Sequence, residues 1–167
     1  TDTAHATPFE MLDLGCITRD LVQLLGESRF FPASIQISCL LPEDATTVYG
    51  SRDMIRQILL NLIKNARECM PDGGQITLRG GTPVERDGRS YRRFLVTDNG
   101  PGLPTELQAR LFQPMQSHKP GDHRGVGLSI VHSLVSKMAG YISCRSTPMG
   151  TDFEILLPST GPIQTGG

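Results

Sequence analysis

The sequence predicts an α+β fold of two layers: a mixed, mostly antiparallel sheet covered on one face by helices. Three observations carry this. Segments with helical periodicity and segments with strict alternation follow one another in mixed order. Hairpin signals stand at both ends of the second half, which favours antiparallel pairs over a doubly wound parallel sheet. The chain has 167 residues, enough for one domain with a substantial core.

Residues 1–13 are weakly patterned and read as a lead-in, 14–158 as the domain, and 159–167 as a disordered tail. "CITRDLVQLLGES" spaces Ile17, Leu21, Leu24 and Leu25 as a helix does, with Gly26 near its end. "ASIQISCLLP" alternates Ile35, Ile37, Cys39 and Leu41 and stops at Pro42, which predicts a strand, and "TTVYG" predicts a short second one. A long helix over 52–70 follows, capped by Ser51 or Asp53. "QITLRG" and "YRRFLVTDNG" predict strands, and the loop between them contains Asp87-Gly88, a good hairpin turn. "PTELQARLF" is a short helix, and "VGLSIVHSLVSKMAG" is a longer one behind a polar, glycine-containing stretch. "YISCRST" and "TDFEILLP" close the sheet around Pro148-Met149-Gly150.

Composition excludes several function classes. Net charge is −1, so bulk electrostatics does not predict a nucleic-acid partner or an anionic membrane. No apolar run approaches the roughly 20 residues of a membrane span. Cys16, Cys39, Cys69 and Cys144 form no C-x-x-C pair and read as reduced, cytosolic thiols. His5, His118, His123 and His132 have no ligand spacing on a helical face, which argues against zinc, although His118 and His123 share a loop in which a metal could be met.

Three motifs carry chemistry. On a wheel of about 100° per residue, Ile55, Ile58, Leu59, Leu62, Ile63, Ala66 and Met70 form one apolar stripe, with Asn61 and Asn65 side by side at its edge. Asparagine is a poor helix former. Two of them here are either amides bonded to a neighbouring loop or hard oxygen ligands for Mg²⁺. In "VTDNGPGLP", Asp98 ends a strand, and Gly100 and Gly102 permit a tight turn and close approach to a flat ligand. The carboxylate can accept from an exocyclic amine, though D-N-G is also an ordinary turn. In "HRGVGLSIVHSLV", Gly125 and Gly127 precede an amphipathic helix whose free N–H groups suit phosphate; a flexible loop entering a helix explains the same residues.

Order and spacing decide between these readings. An asparagine-bearing helix, D-x-G-x-G, a polar loop, G-x-G-L and then G-T-x-F resembles the ATP-binding (Bergerat) fold of the GHKL superfamily. More narrowly it is similar to the catalytic HATPase_c domain of sensor histidine kinases, over about residues 14–158. The resemblance implies ATP and Mg²⁺. Asn65 would coordinate the metal, and Asn61 would support phosphates or metal-bound water. Asp98 would receive the adenine amino group, helped by Thr151. Gly100, Gly102 and Leu103 would line the adenine pocket, and Phe112 would pack the hinge of an ATP lid over 113–124. Lys119 would reach the phosphates, and Gly125, Val126, Gly127 and Leu128 would form the second glycine box.

The hydrolytic relatives usually hold a glutamate at the position of Asn61; asparagine has no usable basicity, which favours phosphoryl transfer over hydrolysis. Two positions depart from the family pattern: His123 replaces a glycine, and Glu68 stands where many relatives carry lysine. No H-E-x-x-x-P-like segment is present, since His5 lies in "AHATPF". The expected function is therefore the catalytic part of a histidine protein kinase of a two-component system. Its phosphoacceptor histidine would lie on a dimerisation domain of the same full-length kinase, outside this chain, and its further partner would be a response regulator. The alternative is a degenerate GHKL module acting by nucleotide or protein contact alone. The expected location is bacterial cytoplasm, with any membrane tether through upstream domains.

Overall fold

The computed structural model describes residues 8–28, 31–42, 46–112 and 124–162, except the side chains of 124–126. The first element is β1 (Glu10–Asp13), inside the segment that reads as a lead-in. It pairs antiparallel with β3 (Thr47–Gly50) in a two-stranded sheet, where Leu12 and Val48 face each other in the core. Its pattern is too short for alternation alone to announce it.

Asp13 ends β1 and caps α1 (Leu14–Glu27), its side chain accepting from the Cys16 N–H. The Thr46 hydroxyl donates to the same carboxylate at 2.6 Å. Chiefly through that bond, and then through Cys16, the Asp13 carboxyl is held below its usual 3.8. Along α1, Ile17, Leu21 and Leu25 are buried as expected. Leu24 is the exception: it is 54% exposed, on the shoulder of the stripe rather than within it.

The main sheet has the order β2-β4-β6-β8-β7, built from β2 (Ile35–Leu40), β4 (Gly74–Gly80), β6 (Arg89–Asp98), β7 (Tyr141–Thr147) and β8 (Gly150–Pro158). β5 (Val84–Arg86) adds to β6 through Asp87 and Gly88, both at positive φ (53° and 76°), the geometry of the expected tight hairpin. Among the described strands β2 and β4 alone pair parallel, with α2 (Arg52–Glu68) in the crossover between them; the other pairs are antiparallel. The expected mixed, mainly antiparallel sheet is therefore present.

Alternation decides which face is covered. Ile76, Leu78, Phe94, Val96, Phe153, Ile155 and Leu157 are buried on one side, while Arg79, Arg93 and Glu154 alternate to the other. Every member of the long helix's apolar stripe, Ile55 through Met70, is buried against the first face, and Ser51 caps that helix by accepting from Met54 N–H at 3.4 Å. α3 is shorter than expected, Thr105–Gln108 only. α4 (Arg124–Lys137) buries Leu128, Val131, Leu134 and Val135 and packs on α2 and β7.

Ser159, expected in the tail, donates its N–H and its hydroxyl to the Ser90 carbonyl at 3.0 and 3.1 Å, prolonging the β6–β8 ladder by one residue.

Candidate functional site

The site is built at the end of the central strand. Asp98, the last residue of β6, pairs with Ile76 of β4 on one side and with Thr151 of β8 on the other. Thr151 in turn pairs with Ser146 of β7. Asp98, Thr151 and Ser146 thus form one row across three strands, on the helix-covered face. The Gly100 N–H donates to Asp98 Oδ1 at 2.9 Å. Burial pushes the Asp98 carboxyl above its usual 3.8, while the backbone N–H groups of Gly100 and Thr151 oppose that rise.

Beyond Asp98 the chain turns through Gly102 at φ +85°, where a Cβ would run into the Thr147 carbonyl. Glycine is required there by both conformation and space. The turn is tied down by the next residue: Leu103 donates its N–H to Ser146 Oγ at 2.7 Å and accepts from Gln108 Nε2 at 2.9 Å. Ser146 Oγ also lies 2.8 Å from Thr151 Oγ1. Sequence reasoning missed Ser146. Its signal was its parity with Ile142 and Cys144 and its place opposite Thr151 across the Pro148-Met149-Gly150 turn. Cys144, on the same face, has its thiol pushed up to about 12, first by burial and then by the charges of Asp98 and Asp152.

The amide helix abuts this turn at its C-terminal end. Asn65 is 6% exposed, and its Oδ1 is buried without a hydrogen-bond partner among the described residues. Leaving such an oxygen unpaired costs about 1–3 kcal/mol. One turn on, the Cys69 N–H bonds to the Asn65 carbonyl. A Cβ on Gly100 would sit 2.9 Å from Met70 Cγ and 3.6 Å from the Cys69 carbonyl. The bare Gly100 backbone is what lets the helix end and the Asp98 turn touch.

Asn61 stands a turn further back. It is half-buried, its Nδ2 is also unpartnered among the described residues, and it borders an apolar groove of about 380 Å³ shared with Leu24, Leu25 and Phe31. The two amides are therefore neighbours on the helix but do not share one environment. Glu68 is exposed at the helix end.

α4 starts at Arg124, so Gly125, Val126 and Gly127 lie in its first turn rather than ahead of it. Leu128 is 1% exposed in the core, which leaves its backbone, not its side chain, to face a ligand. Phe112 stacks on His132 with ring centres 5.6 Å apart and meets the Phe153 edge at 6.5 Å, pinning the segment before 113 to α4 and β8. Lys119, His123 and the rest of 113–123 lie outside the described residues.

The donor set fits one kind of metal. Among the described residues, no three of His, Cys, Asp and Glu are grouped to hold an ion. A lone buried amide oxygen instead suits Mg²⁺ that brings water and phosphate oxygens with it.

A sequence model of the family described as histidine kinase-, DNA gyrase B- and HSP90-like ATPase matches residues 50–161. Over 112 residues the chain is 45% identical to the sensory histidine kinase/phosphatase NtrB of Klebsiella oxytoca, covering 64% of this chain and 32% of NtrB. It thus spans about a third of the length of such curated relatives. The catalytic domain of the histidine kinase ThkA superposes with a TM-score of 0.75 at 25% identity, covering 93% of this chain and all (100%) of that domain. Full-length ShkA in complex with AMPPNP gives 0.72 at 25% identity, over 95% of this chain and 33% of ShkA. ThkA in complex with the response regulator TrrA gives 0.71 at 25%, over 91% of this chain and 42% of that one.

Proposed function

This chain belongs to the histidine kinase-, DNA gyrase B- and HSP90-like ATPase family, as an ATP-binding domain of the sensor histidine kinase type, and we propose that it presents the γ-phosphate of ATP to a histidine on a separate dimerisation domain. The observation that carries this reading is that the end of the helix bearing Asn65, whose buried Oδ1 has no partner among the described residues, packs through Cys69 and Met70 against the turn that leaves Asp98 and its cross-strand neighbour Thr151.

Asp98, an acceptor when ionised, takes the adenine amino group, and the glycine turn admits the flat base. Asn65 would hold Mg²⁺, and the ion would neutralise charge on the phosphates. The first turn of α4 offers backbone N–H groups to the same phosphates. Asn61 cannot take a proton from water, so the domain holds ATP without spending it on hydrolysis. In the transfer, an imidazole nitrogen of the incoming histidine attacks the γ-phosphorus in line. A P–N bond forms, the P–O bond to ADP breaks, and the imidazole proton passes to solvent.

The phosphorylated histidine then serves a response regulator, the class of partner present in the ThkA–TrrA complex. No helix among the described residues is long and apolar enough to cross a membrane; a cytoplasmic site of action, with any membrane tether in other parts of the full protein, belongs to the same proposal.

Mixing the chain with a histidine-bearing dimerisation domain and γ-labelled Mg-ATP tests it. Label should move to that domain with the parent chain and not with Asn65→Ala. Tight ATP binding by the parent with no label transferred would overturn the kinase reading.

A further inference from the structure

The main sheet is left open at one edge. β7 ends the strand order and, among the described residues, pairs with β8 alone. Thr147 and Gly150 flank a two-residue turn, so they form a hydrogen-bonded pair. Counting back by twos, Arg145, Ser143 and Tyr141 turn their backbone groups toward β8. Ile142 and Cys144 turn theirs outward, where no backbone partner stands among the described residues. Sheet edges are usually blunted by prolines, bulges or charges. No proline or break in register interrupts this one, and its single charge is Arg145. Beside it runs a cavity of about 620 Å³, walled by His132, Ser136 and Ala139 of α4 and by Tyr141, Ile142 and Ser143 of the strand.

The residues along this edge complement themselves. In antiparallel pairing with a second copy, bonds exchanged between Ile142 and Cys144 put a two-fold axis at Ser143. Ser143 then meets Ser143, two small side chains. Ile142 meets Cys144 twice on the helix-covered face, where both are half-buried and pack against the core. Tyr141 meets Arg145 twice on the face that the helices leave bare, where both are exposed. Tyr91, 5.6 Å away, and Arg86, 4.0 Å above the ring, hold Tyr141 in place for that meeting. No like charges stand directly opposite in this register. A slip of two residues either way breaks both the Tyr141–Arg145 and the Ile142–Cys144 pairs.

We propose that the β7 edge is an interface between two copies of this chain, joined antiparallel about Ser143 into one continuous sheet. The interface does not depend on the nucleotide reading, and its test uses no ATP.

Sedimentation equilibrium over a concentration series should show the parent chain passing between monomer and dimer. Arg145→Glu should weaken the dimer about tenfold, because two cross-strand pairs are lost at once. Adding Tyr141→Lys to that variant should restore dimerisation, since opposite charges then face each other twice. A covalent trap checks the register. In a Cys16→Ser background, which removes an exposed native thiol, Ser143→Cys should give a disulfide-linked dimer on mild oxidation. Non-hydrogen-bonded partners at the axis stand about 4.5 Å apart at Cα, within the span of a disulfide. Arg79→Cys, exposed on β4, should give none. A monomer at every concentration, or a dimer that Arg145→Glu leaves unchanged, would overturn the interface. A double variant that stays weak, or a Ser143→Cys chain that does not cross-link, would overturn the register and the proposal with it.

Discussion

Asp98 carries most of the expected selectivity, and its environment sets how that selectivity depends on pH. Its carboxyl is raised above 3.8 mainly by burial, and the ionised form is the stronger acceptor for an amine, with no proton of its own to oppose it. Affinity for nucleotide should therefore be full above the raised pKa and should fall as pH drops through it, starting before an ordinary carboxylate would protonate. Asp98→Asn should bind ATP at least about tenfold more weakly at neutral pH and should lack the carboxylate step of the parent in a calorimetric pH series. Asn65 would act on the other side, at the proposed metal. Asn65→Ala should abolish the difference between ATP binding with Mg²⁺ and with EDTA while the fold persists, because its oxygen has no partner among the described residues. Both residues were legible in the sequence, Asp98 as a carboxylate at a strand end and Asn65 as an amide at the edge of an apolar stripe. Ser146 was not, since a serine in an alternating strand becomes informative only when the register sets it opposite Thr151.

Among the elements, caps and turns position the site and can be tested separately from the chemistry. The Asp13 cap joins β1, α1 and Thr46 at an exposed surface. Asp13→Ala should cost about 1 kcal/mol or less, read as a lower denaturant midpoint. Because the folded pKa is depressed, that contribution is present above 3.8 and is lost as pH falls through the folded value, so parent and variant should converge in acid. Gly102→Ala meets both a positive φ and the Thr147 carbonyl. It should destabilise by about 1–3 kcal/mol and weaken ATP binding with it, since Leu103 and Ser146 are tied to the same turn. The helices were legible from their stripes and the β5–β6 hairpin from Asp87-Gly88. β1 was not legible, because a four-residue strand takes its identity from pairing with β3. Nor was the start of α4, because the glycines that normally signal a loop lie within its first turn.

At the scale of the molecule, the fold class followed from patterning, whereas the one parallel pair, β2 with β4, did not. Two alternating strands look the same in sequence whichever way they run, and the direction is set by the crossover of α2. The same topology places the acidic strand end in the middle of the sheet. β6 is paired with β8 over Tyr91–Asp98 on one side and with β5 over Arg89–Tyr91 and β4 over Phe94–Asp98 on the other, so the ladder that carries Asp98 has no free edge from which to fray. Its amides should exchange with deuterium only through global opening. Nucleotide at about a hundred times its Kd should then slow that exchange by the factor corresponding to roughly 2.7 kcal/mol, with the increment uniform along β6. A retardation confined to residues 98–103 would instead mean that the turn breathes independently of the sheet. The base-binding end would in that case be reporting on its own loop, and not on the integrity of the whole body.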